Sequence, residues 1–413
     1  MRIGGYLAIC ATTAIVSPAQ TFTTLANFDG TNGAYPSFGS LVQATNGNLY
    51  GTTSQGGTSN ACAPGCGTIF KITPAGALIT LHSFNSTDGA NPGSELVEAT
   101  NGYLYGTAYQ GGLYNDGTIF RITPQGALTT LHNFAGSDGA GPGGGLVQAA
   151  DGDLYGTTAH GGAFGNWGTI FKITPAGALT TLHSFDGADG GGPQAPLIQA
   201  SDGDLYGTTY QGGASDDGTI FKITPAGALT VLHSFDWTDG AVLTAGLVQA
   251  TNGDFYGTTN RGATNDSGTV FKITPAGALT TLHIFSGSDG AYPDGGLIQA
   301  TNGNLYGTTV GGGGASNCTC GTIFEISPAG LTTLQSFDGS GGVFPYARLV
   351  QDTNGKLYGT TQAGETQATL DGTVFSLSLG LAPFVKTLPT VGLVGAAVKI
   401  LGVRSNRRDQ RYV

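Results

Sequence analysis

Charged side chains are scarce in this sequence: Asp, Glu, Lys and Arg together make up only 10% of the 413 residues. Apart from the amino-terminal segment, no apolar run is long enough to span a bilayer as a helix. The motifs G-x-S-x-G, the phosphate-binding glycine loop and H-E-x-x-H are also missing. These absences argue against a helical membrane protein and against three large classes of enzyme.

Glycine is abundant instead: the chain has 73 glycines and 17 prolines, which predicts frequent turns. The glycines follow no G-X-Y period and regular apolar segments separate them, so many short strands are favoured over collagen or a disordered linker. Residues 20–380 hold 8 basic and 25 acidic residues, a net charge of −17. A field of this sign repels phosphates, so we do not expect nucleic acid as a partner.

The first 19 residues have the features of a signal peptide. Arg2 precedes an apolar stretch from about Ile3 to Val16, and Ser17-Pro18-Ala19 supplies the small residues of a cleavage site. We therefore expect a secreted or cell-surface protein whose mature chain begins at Gln20.

Three motifs recur seven times along the chain, and successive copies of the first are 50 to 55 residues apart. The first, L/F-Y-G-T, has its tyrosine at Tyr50, Tyr105, Tyr155, Tyr206, Tyr256, Tyr306 and Tyr358. The second, G-T-I/V-F, has its phenylalanine at Phe70, Phe120, Phe171, Phe221, Phe271, Phe324 and Phe375. The third resembles Leu179-Thr-Thr-Leu-His-Ser-Phe185, and a short L-V/I segment precedes each tyrosine motif.

The residues between these motifs predict tight hairpins. Asn-Gly or Asp-Gly separates the first two segments of each unit, and Thr-Pro-Ala-Gly-Ala, as at 174–178, separates the last two. Within Thr169–Ile173, Phe171 and Ile173 face one side of the strand and Ile170 the other, so both faces are apolar. Four such strands repeated seven times predict an all-β, seven-bladed β-propeller of four-stranded antiparallel blades spanning residues 20–380.

The ends of the repeat array complement each other. Thr23–Phe28 matches the fourth strand of a unit that lacks its first three strands. The seventh unit stops after Gly372–Phe375 without its own fourth strand. We predict that the amino-terminal strand completes the last blade and so closes the ring, leaving no unpaired edge at the gap.

Over about residues 21–380, these motifs resemble the GloVer tandem repeat of bacterial "choice-of-anchor" secreted proteins. The resemblance implies an exported repeat protein with a variable carboxy-terminal attachment and brings no established reaction. Residues 381–402 resemble the opening strands of a TIG-type immunoglobulin-like domain, but such a sandwich needs about 100 residues. We expect a truncated fragment there and a disordered basic tail at 403–413.

Five histidines recur in register on the third motif: His82, His132, His183, His233 and His283. A ring spaces such residues around its axis, whereas a metal site or a catalytic pair needs them close together. We therefore expect scaffold histidines that hydrogen-bond a neighbouring loop or strand, and we assign no catalytic residue and no metal ligand.

The candidate ligand-binding residues are those that break the repeat in loops: His160, Trp167, Tyr114, Trp237 and Arg261. His160 stands where other units have mainly Gln, close in sequence to Trp167, and the two could form part of a sugar-binding or catalytic patch. The alternative, an exposed loop histidine and a partly buried tryptophan, stays open.

Cysteines in the loops of the first and sixth units lie in close pairs. In an exported protein such pairs indicate disulfides, and Cys62–Cys66 closes a short loop. Cys318 and Cys320 would form a tighter ring, so their disulfide state stays open. No cofactor is expected, although Asp-Gly connections such as Ser288-Asp289-Gly290 offer oxygen ligands to calcium.

Near-identical blades favour a non-catalytic binding or surface-display module, expected to be a monomer, with a carbohydrate, peptide or surface polymer as its ligand. The alternative is a propeller enzyme, a hydrolase or lyase acting on extracellular polysaccharide. Clustering of the candidate residues at one mouth of the central channel would favour the enzyme, as would clustering of the glutamates that break the repeat. Those glutamates are Glu95, Glu98, Glu325 and Glu365.

Overall fold

The computed structural model describes residues 20–36, 39–314, 318–364, 371–388 and 399–401. In these ranges the regular elements are β-strands, and 28 of them form seven four-stranded antiparallel sheets. The predicted all-β, seven-bladed propeller is confirmed. We number the blades in chain order and call their strands inner, second, third and outer.

Strand β1 (Thr21–Asn27) precedes blade 1, which contains β2 (Val42–Gln43), β3 (Leu49–Thr53), β4 (Thr68–Ile72) and β5 (Leu78–Ser83). Blade 2 contains β6 (Val97–Glu98), β7 (Leu104–Ala108), β8 (Thr118–Ile122) and β9 (Leu128–Asn133). Blade 3 contains β10 (Val147–Gln148), β11 (Leu154–Thr158), β12 (Thr169–Ile173) and β13 (Leu179–Ser184). Blade 4 contains β14 (Ile198–Gln199), β15 (Leu205–Thr208), β16 (Thr219–Ile223) and β17 (Leu229–Ser234).

Blade 5 contains β18 (Val248–Gln249), β19 (Phe255–Thr259), β20 (Thr269–Ile273) and β21 (Leu279–Ile284). Blade 6 contains β22 (Ile298–Gln299), β23 (Leu305–Thr309), β24 (Thr322–Ser327) and β25 (Gly330–Ser336). Blade 7 contains β26 (Val350–Gln351), β27 (Leu357–Thr361) and β28 (Thr373–Ser378). Strands β29 (Lys386–Leu388) and β30 (Lys399–Leu401) follow the ring and pair with each other.

The two faces of the ring carry different connections. Tight turns join inner to second and third to outer strands on one face, which we call the hairpin face. In blade 1 the Gly47 N–H donates to the Ala44 carbonyl across 2.9 Å, and the φ of +79° at Gly47 suits the predicted Asn-Gly turn. The longer loops between second and third strands, and the connections between blades, lie on the opposite loop face.

The core lies between blades. The outer-strand phenylalanine of each blade contacts the third-strand phenylalanine of the next blade, with ring centroids 5.1 to 5.7 Å apart. The pairs are Phe84–Phe120, Phe134–Phe171, Phe185–Phe221, Phe235–Phe271, Phe285–Phe324, Phe337–Phe375 and Phe28–Phe70. Because both faces of each sheet are covered only by neighbours, the ring is the folding unit.

Strand β1 closes the ring as predicted. It pairs antiparallel with β28, from Thr21 opposite Ser378 to Asn27 opposite Thr373. The Phe28 ring, contributed by the same segment, packs edge-on against Phe70 of blade 1 at 5.1 Å. The amino-terminal strand therefore supplies both the missing hydrogen bonds and the missing core residue of blade 7.

The chain leaves blade 7 along the hairpin face, where the Phe384 N–H donates to the Thr353 carbonyl across 3.1 Å. The two-stranded pairing of β29 and β30 does not test the resemblance to a TIG-type domain, which stays a prediction. The predicted signal peptide (1–19) and basic tail (403–413) lie outside the described residues. Within those residues, no helix is long and apolar enough to cross a membrane.

Candidate functional site

A cavity of about 640 Å³ occupies the mouth of the central channel on the loop face. Its deeper wall consists of aliphatic side chains at the start of the inner strands, including Val42, Val97, Val147, Ile198 and Val350. Its rim consists of the chain segments that lead into those strands. A volume of this size and a mixed apolar and polar lining are typical of small-ligand sites.

Two positions of each unit define the rim, and the residues at both positions differ strongly among the seven units. A leucine, Leu41 in blade 1, comes directly before the inner strand of every blade. The residues immediately before this leucine are Ser40, Glu95, Gly145, Pro196, Gly246, Gly296 and Arg348. Three positions before that leucine they are Phe38, Gly93, Gly143, Gln194, Thr244, Asp294 and Tyr346, of which Phe38 lies outside the described residues. Blades 5 to 7 thus contribute polar side chains, whereas blades 2 and 3 contribute mainly glycine.

An ion pair crosses the mouth of the channel past blade 1. The Nη2 atom of Arg348 lies 2.8 Å from Oε2 of Glu95, and both side chains remain partly exposed to the channel. A Cβ atom at Gly145 would lie 2.6 Å from Cγ of Glu95, so glycine at that position makes room for the glutamate. The geometry fixes both charges at the entrance, where they can meet a ligand.

Asp294 lies on the rim in blade 6, with its side chain partly buried. The Nδ2 atom of Asn260 donates to Oδ1 of Asp294 across 3.3 Å. Burial raises the pKa of the Asp294 carboxyl, and the neighbouring Thr244 hydroxyl and Asn260 amide offset this only in part. Burial, with the nearby Asp294 carboxyl, also raises the pKa of Tyr346. The surroundings therefore disfavour ionisation of the Asp294 carboxyl, and perturbed carboxyl groups of this kind are typical of functional sites.

His160 and Trp167 lie in the same loop of blade 3 but contact opposite neighbours. The Nε2 atom of His160 is 3.0 Å from the hydroxyl of Tyr109, a residue of blade 2 that lines the cavity. Trp167 is half-buried and packs on Gly187 and Gly191 of the connection to blade 4. Only His160 thus reaches the channel mouth, and it does so through Tyr109.

The other predicted ligand-binding residues are dispersed around the rim of the loop face. Tyr114 is 58% exposed in blade 2, and Trp237 is 45% exposed in the connection between blades 4 and 5. Arg261 pairs with Asp266 at 3.2 Å and lies over the Tyr292 ring at 4.4 Å. The structure therefore places these residues on one face without bringing them into one cluster.

The five histidines in register each hydrogen-bond a neighbouring connection, as predicted. Each bonds through Nε2 to the aspartate six residues later, at 2.7 to 2.9 Å: His82–Asp88, His132–Asp138, His183–Asp189, His233–Asp239 and His283–Asp289. Burial raises the pKa of Asp88, but hydrogen bonds from His82 and from the Asn85 backbone outweigh it, so the pKa lies below its ordinary value. These pairs fasten the outer strand to the connection that follows it.

Two of the glutamates that break the repeat have structural partners on the hairpin face. Glu98 accepts hydrogen bonds from the backbone N–H and the hydroxyl of Thr45, at 2.7 and 2.6 Å. Glu325 accepts from the Asn304 amide and the Tyr306 hydroxyl, at 2.6 and 2.8 Å. Of this group only Glu95 lines the cavity, and Glu365 lies outside the described residues.

Both cysteine pairs form disulfides, Cys62–Cys66 in blade 1 and Cys318–Cys320 in blade 6. The prediction for the first pair is confirmed, and the question left open for the second is answered. No group of three or more His, Cys, Asp or Glu side chains suited to a metal ion occurs in the described ranges.

Sequence reasoning missed Arg348, Asp294, Tyr346, Thr244 and Tyr109 as candidates. A signal for the first four is present in the chain, because aligning the units on the leucine that precedes each inner strand shows that these two positions vary strongly. Other loop positions vary as much, such as the one held by Ser54 in the first unit and Tyr109 in the second. What the alignment does not give is that both positions face the axis of the ring.

The fold and the cavity define a seven-bladed β-propeller with a polar channel mouth. The chain matches the Gloeobacter/Verrucomicrobia repeat in four overlapping stretches, at residues 10–201, 58–252, 144–320 and 193–388. It therefore belongs to this repeat family. No curated protein matches the sequence.

Two solved structures similar to this chain carry the names of lyases. One is a streptogramin B lyase with 15% identity and a TM-score of 0.59, the match covering 87% of this chain and 98% of that one. The other is virginiamycin B lyase from Staphylococcus aureus with 17% identity and a TM-score of 0.59, covering 87% and 99%. Identities this low show a shared propeller fold alone.

Proposed function

We propose that this protein is an exported, monomeric binding module that engages an extracellular carbohydrate polymer through the loop face. The observation that carries the proposal is the position of the exposed aromatic side chains. Among the described residues, the exposed Phe, Tyr and Trp side chains are Tyr114, Phe164 and Trp237. All three lie on the loop face. Exposed aromatic rings on the face that also holds a polar cavity suit sugars, which present apolar faces and hydroxyl groups together.

Two further features support this proposal. The two disulfides suit an oxidising compartment outside the cytoplasm. The hairpin face carries short, closely similar turns and offers no comparable group of exposed aromatic rings among the described residues. A ligand that covers several blades would therefore approach from the loop face.

A glycan array probed with the full-length protein tests the proposal. The variant Tyr114→Ala/Phe164→Ala/Trp237→Ala should lose at least tenfold in affinity for any polymer bound. The matched control, Ile79→Ala/Val231→Ala/Leu282→Ala, removes exposed apolar side chains from outer strands and should keep the affinity. An array without hits, or equal losses in both variants, would contradict the proposal.

A second candidate function is a hydrolase or lyase acting on extracellular polysaccharide. The observation that favours it is the group formed by Asp294, Tyr346 and the Glu95–Arg348 pair in one cavity, because a carboxyl group with a raised pKa is suited to general acid catalysis. Incubating each bound polymer with the protein and measuring new reducing ends and new unsaturated products separates the two functions. Turnover that His160→Ala or Asp294→Asn abolishes would establish the enzyme.

A further inference from the structure

The charges at the channel mouth do not balance. Glu95 and Arg348 neutralise each other across 2.8 Å, so the charge of Arg348 is already balanced by Glu95. Asp294 has neutral neighbours, the Asn260 amide and the Thr244 hydroxyl, and no cationic partner in the described part of the chain. An ionised carboxyl group in such surroundings is costly unless a proton or a cation accompanies it.

The cavity leaves space across the channel from this carboxyl group. Gly93 and Gly143 line the side contributed by blades 2 and 3, at the position where blades 4 to 7 carry Gln194, Thr244, Asp294 and Tyr346. Tyr346 and Tyr109 supply aromatic rings to the wall. Aromatic rings attract cations through their π faces. Of the two, Tyr346 lies near enough to Asp294 for that carboxyl to raise its pKa, so this part of the wall suits a positively charged group.

The wider electrostatics favour the same kind of ligand. The net charge of −17 over residues 20–380 raises the local concentration of cations and disfavours acidic sugars. A calcium ion takes six to eight oxygen ligands. No group of three or more candidate metal-binding side chains exists within the described ranges, so an organic cation fits this cavity better than a metal ion.

We propose that the channel mouth binds an amine-bearing sugar unit, with its protonated amine at Asp294 and its ring between Tyr346 and the Glu95–Arg348 pair. This inference rests on the proposed function, since both place a saccharide on the loop face, and it names the class of saccharide. The ammonium group supplies the counter-charge that Asp294 lacks. Glu95 and Arg348 are placed to exchange hydrogen bonds with the hydroxyl groups of the sugar.

Calorimetric titration of the full-length protein tests the inference with three probes: a glucosamine tetramer, its fully N-acetylated form and a diamine of similar length. We expect the glucosamine tetramer to bind at least tenfold more tightly than either of the other two. Asp294→Asn should remove that preference, whereas the matched control Asp217→Asn, at the rim of blade 4, should keep it. Thermal melting of both variants reports whether they are folded.

Each other outcome overturns the inference. Equal binding of the N-acetylated tetramer excludes recognition of the amine, and equal binding of the diamine excludes recognition of the sugar. An unchanged preference in Asp294→Asn excludes this site. If the triple aromatic variant loses polymer binding while Asp294→Asn changes nothing, this inference fails and the proposed function stands. If no saccharide binds in either experiment, the proposed function fails as well.

Discussion

The hairpin face and the loop face differ in how departures from the repeat are accommodated. On the hairpin face, a change in one strand meets a matching change in its neighbour. Lys172 pairs with Asp153 at 3.4 Å in blade 3, whereas in blade 2 the guanidinium of Arg121 lies 5.0 Å from the centroid of the Tyr103 ring. In blade 6, Glu325 replaces the basic residue and hydrogen-bonds Asn304. Each change keeps a local contact.

On the loop face, Glu95 and Arg348 compensate each other as an ion pair, but a second group of departures has no such oppositely charged partner among the described residues. Thr244, Asp294 and Tyr346 come from three successive blades and gather around one cavity. The Thr244 hydroxyl and the Asn260 amide lie beside the Asp294 carboxyl and offset only part of the effect of burial on its pKa. A departure with a local partner maintains the fold, whereas departures that converge on a cavity without balancing each other indicate a ligand site.

The largest loss of stability should come from weakening the closure of the ring, because both faces depend on that closure. Phe28→Ala removes the buried ring that carries the core from blade 7 to blade 1, and we expect a loss of about 3–5 kcal/mol in the free energy of unfolding. Phe185→Ala removes the equivalent ring between blades 3 and 4, inside continuous chain. Urea denaturation of both variants measures the difference. A much smaller loss for Phe28→Ala would show that the closure is weaker than the other junctions.

A smaller effect is expected at the outer strands, which both faces share. His82→Ala removes a hydrogen bond to a charged group, worth about 1.5–3 kcal/mol. Because the pKa of Asp88 is lowered in the folded state, this stabilisation is present above the ordinary carboxyl pKa of about 4 and is lost as the pH falls through the folded value. Urea denaturation at pH 6 and pH 3 should show the wild-type advantage shrinking with acid. A constant difference would contradict the assignment.

The architecture could be predicted because its determinants are local. Asn-Gly turns, alternating apolar residues and the spare strand at Thr23–Phe28 each act within a few residues of sequence. Their number and order then fix the blade count and the closure. The dispersal of the five histidines could be predicted too, since residues in register around a ring cannot form a compact cluster.

The channel site could not be predicted in the same way. Glu95 and Arg348 are 253 residues apart and meet only because the ring closes. Their hydrogen bond depends on which positions face the axis, and the repeat pattern does not encode that direction. The candidates on the outer rim rest on rarity of residue type alone. The structure shows that rarity does not distinguish an outer loop, such as that of Tyr114, from the channel mouth.

A gain in stability, smaller than these losses, should come from removing the charge of Asp294 in the cavity. Asp294→Asn should raise the free energy of unfolding at pH 7 by about 0.5–2 kcal/mol, because burial disfavours the ionised carboxyl group. The raised pKa places this penalty at pH values where the carboxyl group is ionised, so the gain should vanish below about pH 4. Glu95→Gln, which breaks the Arg348 pair in the same cavity, should destabilise instead. Denaturation that shows both variants destabilised would remove the contrast between the two faces.

The smallest change in stability is expected on the hairpin face, where Glu98 takes the place of the glutamine found in the other six blades. In six blades the inner-strand glutamine accepts a hydrogen bond from a backbone N–H of the preceding blade, at 2.8 to 3.1 Å. Glu98 makes the equivalent bond to Thr45 at 2.7 Å. Glu98→Gln keeps that acceptor, so the free energy of unfolding should change by less than about 0.5 kcal/mol, whereas Glu98→Ala, which removes the acceptor, should cost about 1–3 kcal/mol. Equal losses in the two variants would mean that the charge of Glu98 matters in itself, and the hairpin face would then hold an uncompensated departure of its own.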